Sequence, residues 1–352
     1  MGENELGILT TTIGAYPKPN YVKLPDWFGN LDTSTPTKGW AEAKKAMGNK
    51  AHLIIKKGTH EAVLDQVNSG IDIPTDGEIA RENYIHYHCR HLEGIDFINL
   101  TEKTLRNGNY SSFLPTIRGK IKNRDLFLVK DWKQAQEATE KPIKITMPGP
   151  LTVADTLADE YYNDQKILGA AIAEALNKEI LSLANSGCKY IQIDEPLFAR
   201  YPEKAIEFGI ENLERAFQNC PETVNSTIHI CCGYPDKIDV VNYPKAPLDS
   251  YFKLADVLED SSINTISIED AHRNNDLALL EKFKTTNIIL GVVTIAKSEV
   301  ETVNKIKLRL KKSLNHIDKN RLIAAPDCGL GILGRDLAIK KMQNMCIAAH
   351  SL

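Results

Sequence analysis

Short apolar runs rich in β-branched residues recur along the chain, each closed by turn residues and followed by a stretch whose apolar positions have helical spacing. The runs are ILTTTIGAY (8–16), GIDIPTDGE (70–78), PIKITMPGP (142–150), KYIQIDEP (189–196), STIHICCG (226–233), INTISIED (263–270), NIILGVVT (287–294) and RLIAAPDC (321–328). Such runs suit parallel strands buried on both faces. Helical spacing covers 49–68, 165–186, 203–219, 249–258, 274–285 and 334–349, and Gly187 is placed to end the second of these. Ser298-x-x-Glu301 reads as a capping box that opens another helix. Eight strands alternating with helices, without repeats or a low-complexity linker, predict one α/β unit over 1–352, a (β/α)8 TIM barrel. A doubly wound sheet competes, but no GxGxxG or P-loop follows any strand. Two stretches break the rhythm, 17–48 with Pro17, Pro19, Pro25 and Pro36, and 80–140. Both are expected as extended loops over the C-terminal mouth, the second with a hairpin around 111–129. Within it TLRNGNYSSF (104–113) reads as a flexible loop.

Composition narrows the function. The 352 residues carry 43 Lys+Arg against 46 Asp+Glu, and a net charge of −3 offers no field for nucleic acid or an acidic membrane surface. No apolar run approaches the roughly 20 residues that span a bilayer. The N-terminal MGENELGILTTTIGAYP has neither a basic nor a long apolar signal region, so a cytoplasmic location is expected. Seven cysteines, an odd number, fit a reducing compartment, where thiols serve as metal ligands or reactive groups.

In a barrel, chemistry gathers at the carboxyl ends of the strands. The polar residues of this chain are concentrated there. The second run ends in Asp76 and Glu78, the fourth in Asp194 and Glu195, the sixth in Glu269 and Asp270, and the eighth in Asp327 and Cys328. The fifth carries His229, Cys231 and Cys232. Positions i and i+2 of a strand share a face, so His229 and Cys231 can grip one metal while Cys232 turns toward the helices. Glu269 and Cys328 complete four donors, a set that suits tetrahedral Zn²⁺ better than Mg²⁺ or Ca²⁺. The plain alternative is that His-x-Cys is core packing, as it is for Cys89, Cys188, Cys220 and Cys346. His86, His88 and His91 read as a polar loop or helix face. Asp194, before Glu195-Pro196, has a plain reading as a helix cap. Across a barrel mouth, however, two acids such as Glu78 and Asp194 suit an ammonium group.

Several motifs, TTTIGAYP (10–17), DGEIARENYIHY (76–87), MPGPLT (147–152), IQIDEP (191–196), IHICC (228–232), ISIED (266–270) and APDCGL (325–330), together resemble one family. They match, in order, the catalytic barrel of cobalamin-independent methionine synthase, within the uroporphyrinogen decarboxylase-like superfamily, as a single-barrel "core" member. The resemblance implies zinc held by His229, Cys231, Glu269 and Cys328, and homocysteine held by its amino group at Glu78 and Asp194. It places the substrate carboxylate at the first-strand Ile-Gly-Ser, which here reads Ile13-Gly14-Ala15. A free thiol of pKa about 8.5 is mostly protonated at neutral pH, and zinc coordination makes it a nucleophilic thiolate. Glu269, the hardest of the four ligands, is the one expected to loosen; Glu269 and Asp194 are the expected catalytic residues.

The departures from the family fall on the methyl-donor side. A pterin-stacking Trp is replaced by Thr156, an acid by Arg200, the Arg-Cys loop is not recognisable near Tyr110–Pro115, and Asp-Ile-His reads Thr294-Ile295-Ala296. The expected reaction is methylation of homocysteine to methionine, with the donor left open. A methylated corrinoid protein, a folate held with a helper protein, and direct use of 5-methyltetrahydrofolate are the choices. A zinc-dependent thiol alkyltransferase acting on an epoxide is the runner-up, disfavoured by the two acids. A metal-free, decarboxylase-like barrel is a third reading.

Overall fold

The computed structural model describes residues 7–26, 39–105, 110–240 and 243–352. Its strands are β1 (Leu9–Thr10), β2 (Leu92–Leu105), β3 (Tyr110–Asn123), β4 (Lys144–Pro148), β5 (Ala158–Asp159), β6 (Tyr190–Asp194), β7 (Asn225–Ile230), β8 (Thr265–Ile268), β9 (Asn287–Val293) and β10 (Leu322–Pro326). Seven of them form a curled sheet in the order β1-β10-β9-β8-β7-β6-β4, parallel at every pairing. The run 70–78 does not become the full strand its sequence predicts. It makes two isolated parallel bridges, Thr11 with Ile73 and Thr75 with Lys144, one to each end of the sheet. The reasons are local. Pro74 has no N–H to give, the Thr75 N–H donates to Gln66 Oε1 instead, and Gly70 and Gly77 take positive φ.

Period-two alternation sorts the strand residues onto two faces. Ile145, Met147, Ile191, Ile193, Ile228, Ile230, Ile266 and Ile268 pack outward into the main core with helix residues such as Ile172, Leu183, Leu254 and Met342. Each such side chain contributes about 1.5–3 kcal/mol by leaving water. The alternate residues are polar yet buried: Lys144, Thr146, Gln192, Thr227, His229, Thr265 and Ser267. Only a small apolar cluster, Ile13, Ile289 and Ala325, forms apart from the main core among the described residues. The inner face is thus a polar surface closing on the strands' carboxyl ends.

The long helices fall where their periodicity places them, at Ala51–Asn68, Gln165–Asn185, Ser250–Glu259 and Arg335–His350. Asp164 caps the second by accepting from the Lys166 and Ile167 N–H groups, and Gly187 ends it at φ 99°. Three expectations are corrected. The 203–219 helix is broken by a π turn at Ala205–Gly209. The 274–285 stretch forms only a 3₁₀ helix, Leu277–Lys282. Ser298 opens no helix: Thr302 caps Val303–Ser313, and Glu301 instead accepts from Thr294 and pairs with buried Lys341.

The excursion between the second and third runs is built on an antiparallel hairpin of β2 and β3. It begins well before 111, because 92–105 already forms the first arm. The tract 104–113 therefore enters both strands rather than forming one loop, and residues 106–109 lie outside the described residues. β3 also pairs with β5, and Lys103 donates to the Leu157 carbonyl, so the hairpin is tied to the loop that follows β4. Residues 27–38 of the 17–48 stretch also lie outside the described residues.

Candidate active site

The C-terminal ends of the strands bring separated residues together. His229 lies in β7, and Cys231 follows one residue beyond its end. Cys328 follows β10. One donor atom of each of the three lies within 4.8 Å of the others. His229 has the form of a ligand. Its Nδ1 is bonded to Ser267 Oγ at 2.9 Å, while Nε2 is buried with no hydrogen-bond partner among the described residues. Burial holds the ring neutral, with its pKa pushed down to about 3, and a neutral imidazole is what a metal requires. The Cys231 thiol is pushed up, first by its hydrogen bond with Cys328 and then by burial. Metal binding takes the protons from such thiols, so a divalent cation would suit the cluster.

Glu269, just past β8, stands beside this trio rather than within it. Its Oε1 accepts from Cys231 Sγ at 3.0 Å and from the Cys232 N–H at 2.9 Å. Its Oε2 meets Lys245 Nζ at 2.7 Å, a largely buried ion pair that the sequence did not announce. Cys232 points the other way, with its Sγ against the Tyr251 hydroxyl on the helix Ser250–Glu259.

The acids come next. Asp194 ends β6 and is the register partner of His229. Gln192 Nε2 binds Asp194 Oδ1 at 2.7 Å and also the Ile13 carbonyl at 2.7 Å. Ile13 therefore offers its side chain to the inner apolar cluster and has its carbonyl already engaged. Glu195 caps the helix Pro150–Thr156, accepting from the Leu151 and Thr152 N–H groups and the Thr152 hydroxyl. Glu78 adopts φ 56° after Gly77, a conformation costly for a side-chain residue. Its Oε1 accepts from Thr146 Oγ1 at 2.7 Å and from Arg81 Nη1 at 3.2 Å. Arg81 also reaches Asp76 at 3.3 Å. Gly14 makes this approach possible, since a Cβ there would lie 2.6 Å from Glu78 Oε1.

Burial pushes the carboxyls of both Glu78 and Asp194 up, and for Asp194 the charge of Glu78 is the next cause. Two such acids gain most from a bound ammonium ion. Ala15, Lys18, Asp26, Glu78, Arg81 and Tyr84 border a small cleft. Tyr84 also lies within the electrostatic reach of Asp194, Cys231 and Cys328, which connects this cleft to the sulfur cluster. Below, Lys144 is fully buried with Nζ unpaired among the described residues, and its pKa is pulled down to about 7 by burial. Arg81 stands three residues after Glu78, a spacing readable in the sequence. Lys18, Lys245 and Lys144 carried no sequence signal, because single lysines on these segments acquire meaning only from the cleft, the Glu269 carboxylate and the burial that the fold gives them. His86 and His88 are buried on the short helix Tyr84–Cys89 rather than forming an open polar face.

The family model for the cobalamin-independent synthase catalytic domain matches residues 8–351. The chain belongs to this family. It is an enzyme, a methyltransferase of the methionine synthase type. It is 28% identical to the methionine synthase of Thermococcus kodakarensis over 344 residues, covering 97% of this chain and 92% of that one. The methionine synthase of Pyrococcus abyssi is 27% identical, with 98% and 93% covered. Among solved structures, a B12-independent methionine synthase from Shewanella in complex with selenomethionine superposes with a TM-score of 0.85 at 27% identity, covering 97% of each chain.

The positions expected on the methyl-donor side are spread over several elements. Thr156 ends the helix Pro150–Thr156 and Arg200 ends Pro196–Arg200. Residues 110–115 lie in β3. Thr294 gives both its N–H and its hydroxyl to Glu301. The Ile295 and Ala296 N–H groups both donate to His272 Nε2, at 3.0 and 3.1 Å, so a histidine from the β8 end stands against the loop where the family motif carries its own. No described helix is long and apolar enough to cross a membrane.

Proposed function

We propose that this protein makes methionine by transferring a methyl group to the thiol of homocysteine, with one zinc ion. The observation that carries the reading is the convergence of His229, Cys231 and Cys328 within 4.8 Å, beside the acids Asp194 and Glu78. We also propose that the 71–75 segment, bridged to β1 and β4, closes the curled sheet into a single eight-stave barrel, with 17–48 and 80–140 as extensions at its mouth.

The donor set fits zinc: two sulfurs, one imidazole with an unpaired buried nitrogen, and a carboxylate one hydrogen bond away. His229, Cys231 and Cys328 would hold the ion, with Glu269 as the exchangeable fourth ligand. Bound there, zinc would supply the Lewis acidity that keeps a substrate thiol ionised at neutral pH. The chain's own residues do the rest. Glu78 and Asp194 receive the substrate's ammonium group. Arg81 and Thr146 fix Glu78 in place, and Gln192 fixes Asp194. An amino acid pinned at that end directs its side-chain sulfur toward the neighbouring cysteines. Lys245 accommodates the Glu269 carboxylate when it is not needed as a ligand. The selenomethionine complex of the Shewanella relative supports a ligand of the methionine class.

The donor is where this chain departs from folate-using members, at Thr156, Arg200 and Thr294-Ile295-Ala296. We favour a donor other than free 5-methyltetrahydrofolate, such as a methylated corrinoid protein. The test supplies purified protein with homocysteine and either donor and measures methionine. Methionine from the corrinoid alone supports the reading. Equal rates with 5-methyltetrahydrofolate alone would refute the donor assignment, and no methionine with either donor or with a cell extract would refute the reaction.

A further inference from the structure

Two cations border the cleft beside Glu78, and they are not equivalent. Arg81 is deeply buried, its side chain 2% exposed, and its two terminal nitrogens are engaged by Glu78, Thr146 and Asp76, while Nε is sealed from solvent without a partner among the described residues. Lys18 is three residues beyond Ala15 and lines the same cleft. It stands at the rim, 11% exposed, where Nζ meets Asp26 Oδ2 at 3.1 Å; that carboxylate is itself 26% exposed. A lysine ammonium has three donors, so one carboxylate does not exhaust it. The Lys18 charge is also felt at Glu78, opposing the effect of burial there, so both groups act on one space.

We propose that Lys18 is the specificity-determining residue that anchors the α-carboxylate of the amino-acid thiol. The inference rests on the homocysteine reading and deepens it. An amino acid is a zwitterion whose two charges sit on one carbon. A site that offers only Glu78 and Asp194 would attract the ammonium and repel the carboxylate beside it. The cleft needs a cation near the acids, within reach of solvent and free of saturating partners, and Lys18 has that placement. Position 15 strengthens the case. Alanine there has no hydroxyl to donate, so at this point of the lining the carboxylate meets only backbone and a methyl group, and the ammonium of Lys18 supplies a charged donor in the same cleft. Asp26 holds Lys18 over the cleft and is the partner that the substrate carboxylate replaces or joins.

The test compares two ligands that differ only in the carboxylate: homocysteine and 3-aminopropane-1-thiol. Binding of each to the zinc-containing full chain is measured by titration calorimetry for wild type, Lys18→Met and Lys18→Arg. Wild type is expected to prefer homocysteine. Lys18→Met is expected to weaken homocysteine about 10- to 100-fold while changing the aminothiol less than about threefold, the effect of one lost charge-assisted contact. Lys18→Arg is expected to recover most of the preference, which a purely structural role would not produce. A Lys18→Met protein that keeps the wild-type ratio of the two affinities, or weakens both ligands equally, overturns the proposal. A wild-type protein that binds neither ligand overturns the homocysteine reading itself, and the two failures are thereby told apart.

Discussion

Replacing Asp194 by Asn isolates one charge in the amino-group site. Asp194 lies opposite His229 in the β6–β7 register, outside the trio of donors that lie within 4.8 Å of one another. Asn keeps the shape and leaves an amide oxygen for Gln192 Nε2, which now binds Asp194 Oδ1 at 2.7 Å. What disappears is one charge-assisted hydrogen bond to the substrate ammonium, worth about 1.5–3 kcal/mol. At about 1.4 kcal/mol per tenfold, KM for homocysteine should rise roughly 10- to 100-fold. Folding should not suffer. Burial and the charge of Glu78 push the Asp194 carboxyl well above the usual range, so ionised Asp194 is disfavoured in the native state. The substitution removes that charge, and Tm at pH 8 should be unchanged or higher. KM is read from initial rates of methionine formation, zinc from elemental analysis and Tm from thermal unfolding. An unchanged KM would remove Asp194 from the amino-group site. Zinc lost in parallel with KM would show that the residue supports the metal centre instead.

Three further outcomes follow from named contacts. Lys245→Met frees Glu269 Oε2 from its 2.7 Å ion pair, so zinc should resist chelator about 10-fold better, and Lys245→Arg should behave as wild type. Gly14→Ala sets a Cβ 2.6 Å from Glu78 Oε1 and should raise KM for homocysteine about 10-fold with zinc content unchanged; an unaltered KM would separate Glu78 from substrate. Glu179 accepts from the Phe127 and Leu128 N–H groups, and burial pushes its carboxyl from 4.5 to about 7. Between those values the native state holds a proton that the unfolded chain has released, so this group makes stability fall as pH rises through that window. Glu179→Gln should flatten the fall, measured as urea midpoints from pH 4 to pH 8, and an identical profile would contradict the assignment.

The fold and the site were legible to different depths. The Ile-rich runs announced β4 and β6 to β9 because their outward residues feed one continuous core. The convergence of His229, Cys231 and Cys328 was legible because they stand at or just past strand ends, where a repeating topology brings them together. The 70–78 run misled because hydropathy does not register that Pro74 lacks an N–H and that Thr75 bonds Gln66. Ser298-x-x-Glu301 misled because Glu301 has a stronger claim from Lys341, 40 residues away. Lys18 and Lys245 were invisible for the same kind of reason. Their meaning lies in carboxylates and clefts that only the folded chain assembles, and single lysines on irregular segments carry no period. The hairpin is an intermediate case. Register shifts between Glu93 and Ile95 and between Asp96 and Thr101 break any period-two pattern along 92–105, and the glycine- and asparagine-rich tract beside it drew the boundary too late.

A metal held by His229, Cys231 and Cys328 is measurable by elemental analysis of protein prepared without chelator. Close to one zinc per chain is expected, falling to near zero in both Cys231→Ser and Cys328→Ser. Active wild-type protein without zinc, or stoichiometric zinc retained in either variant, would contradict this assignment.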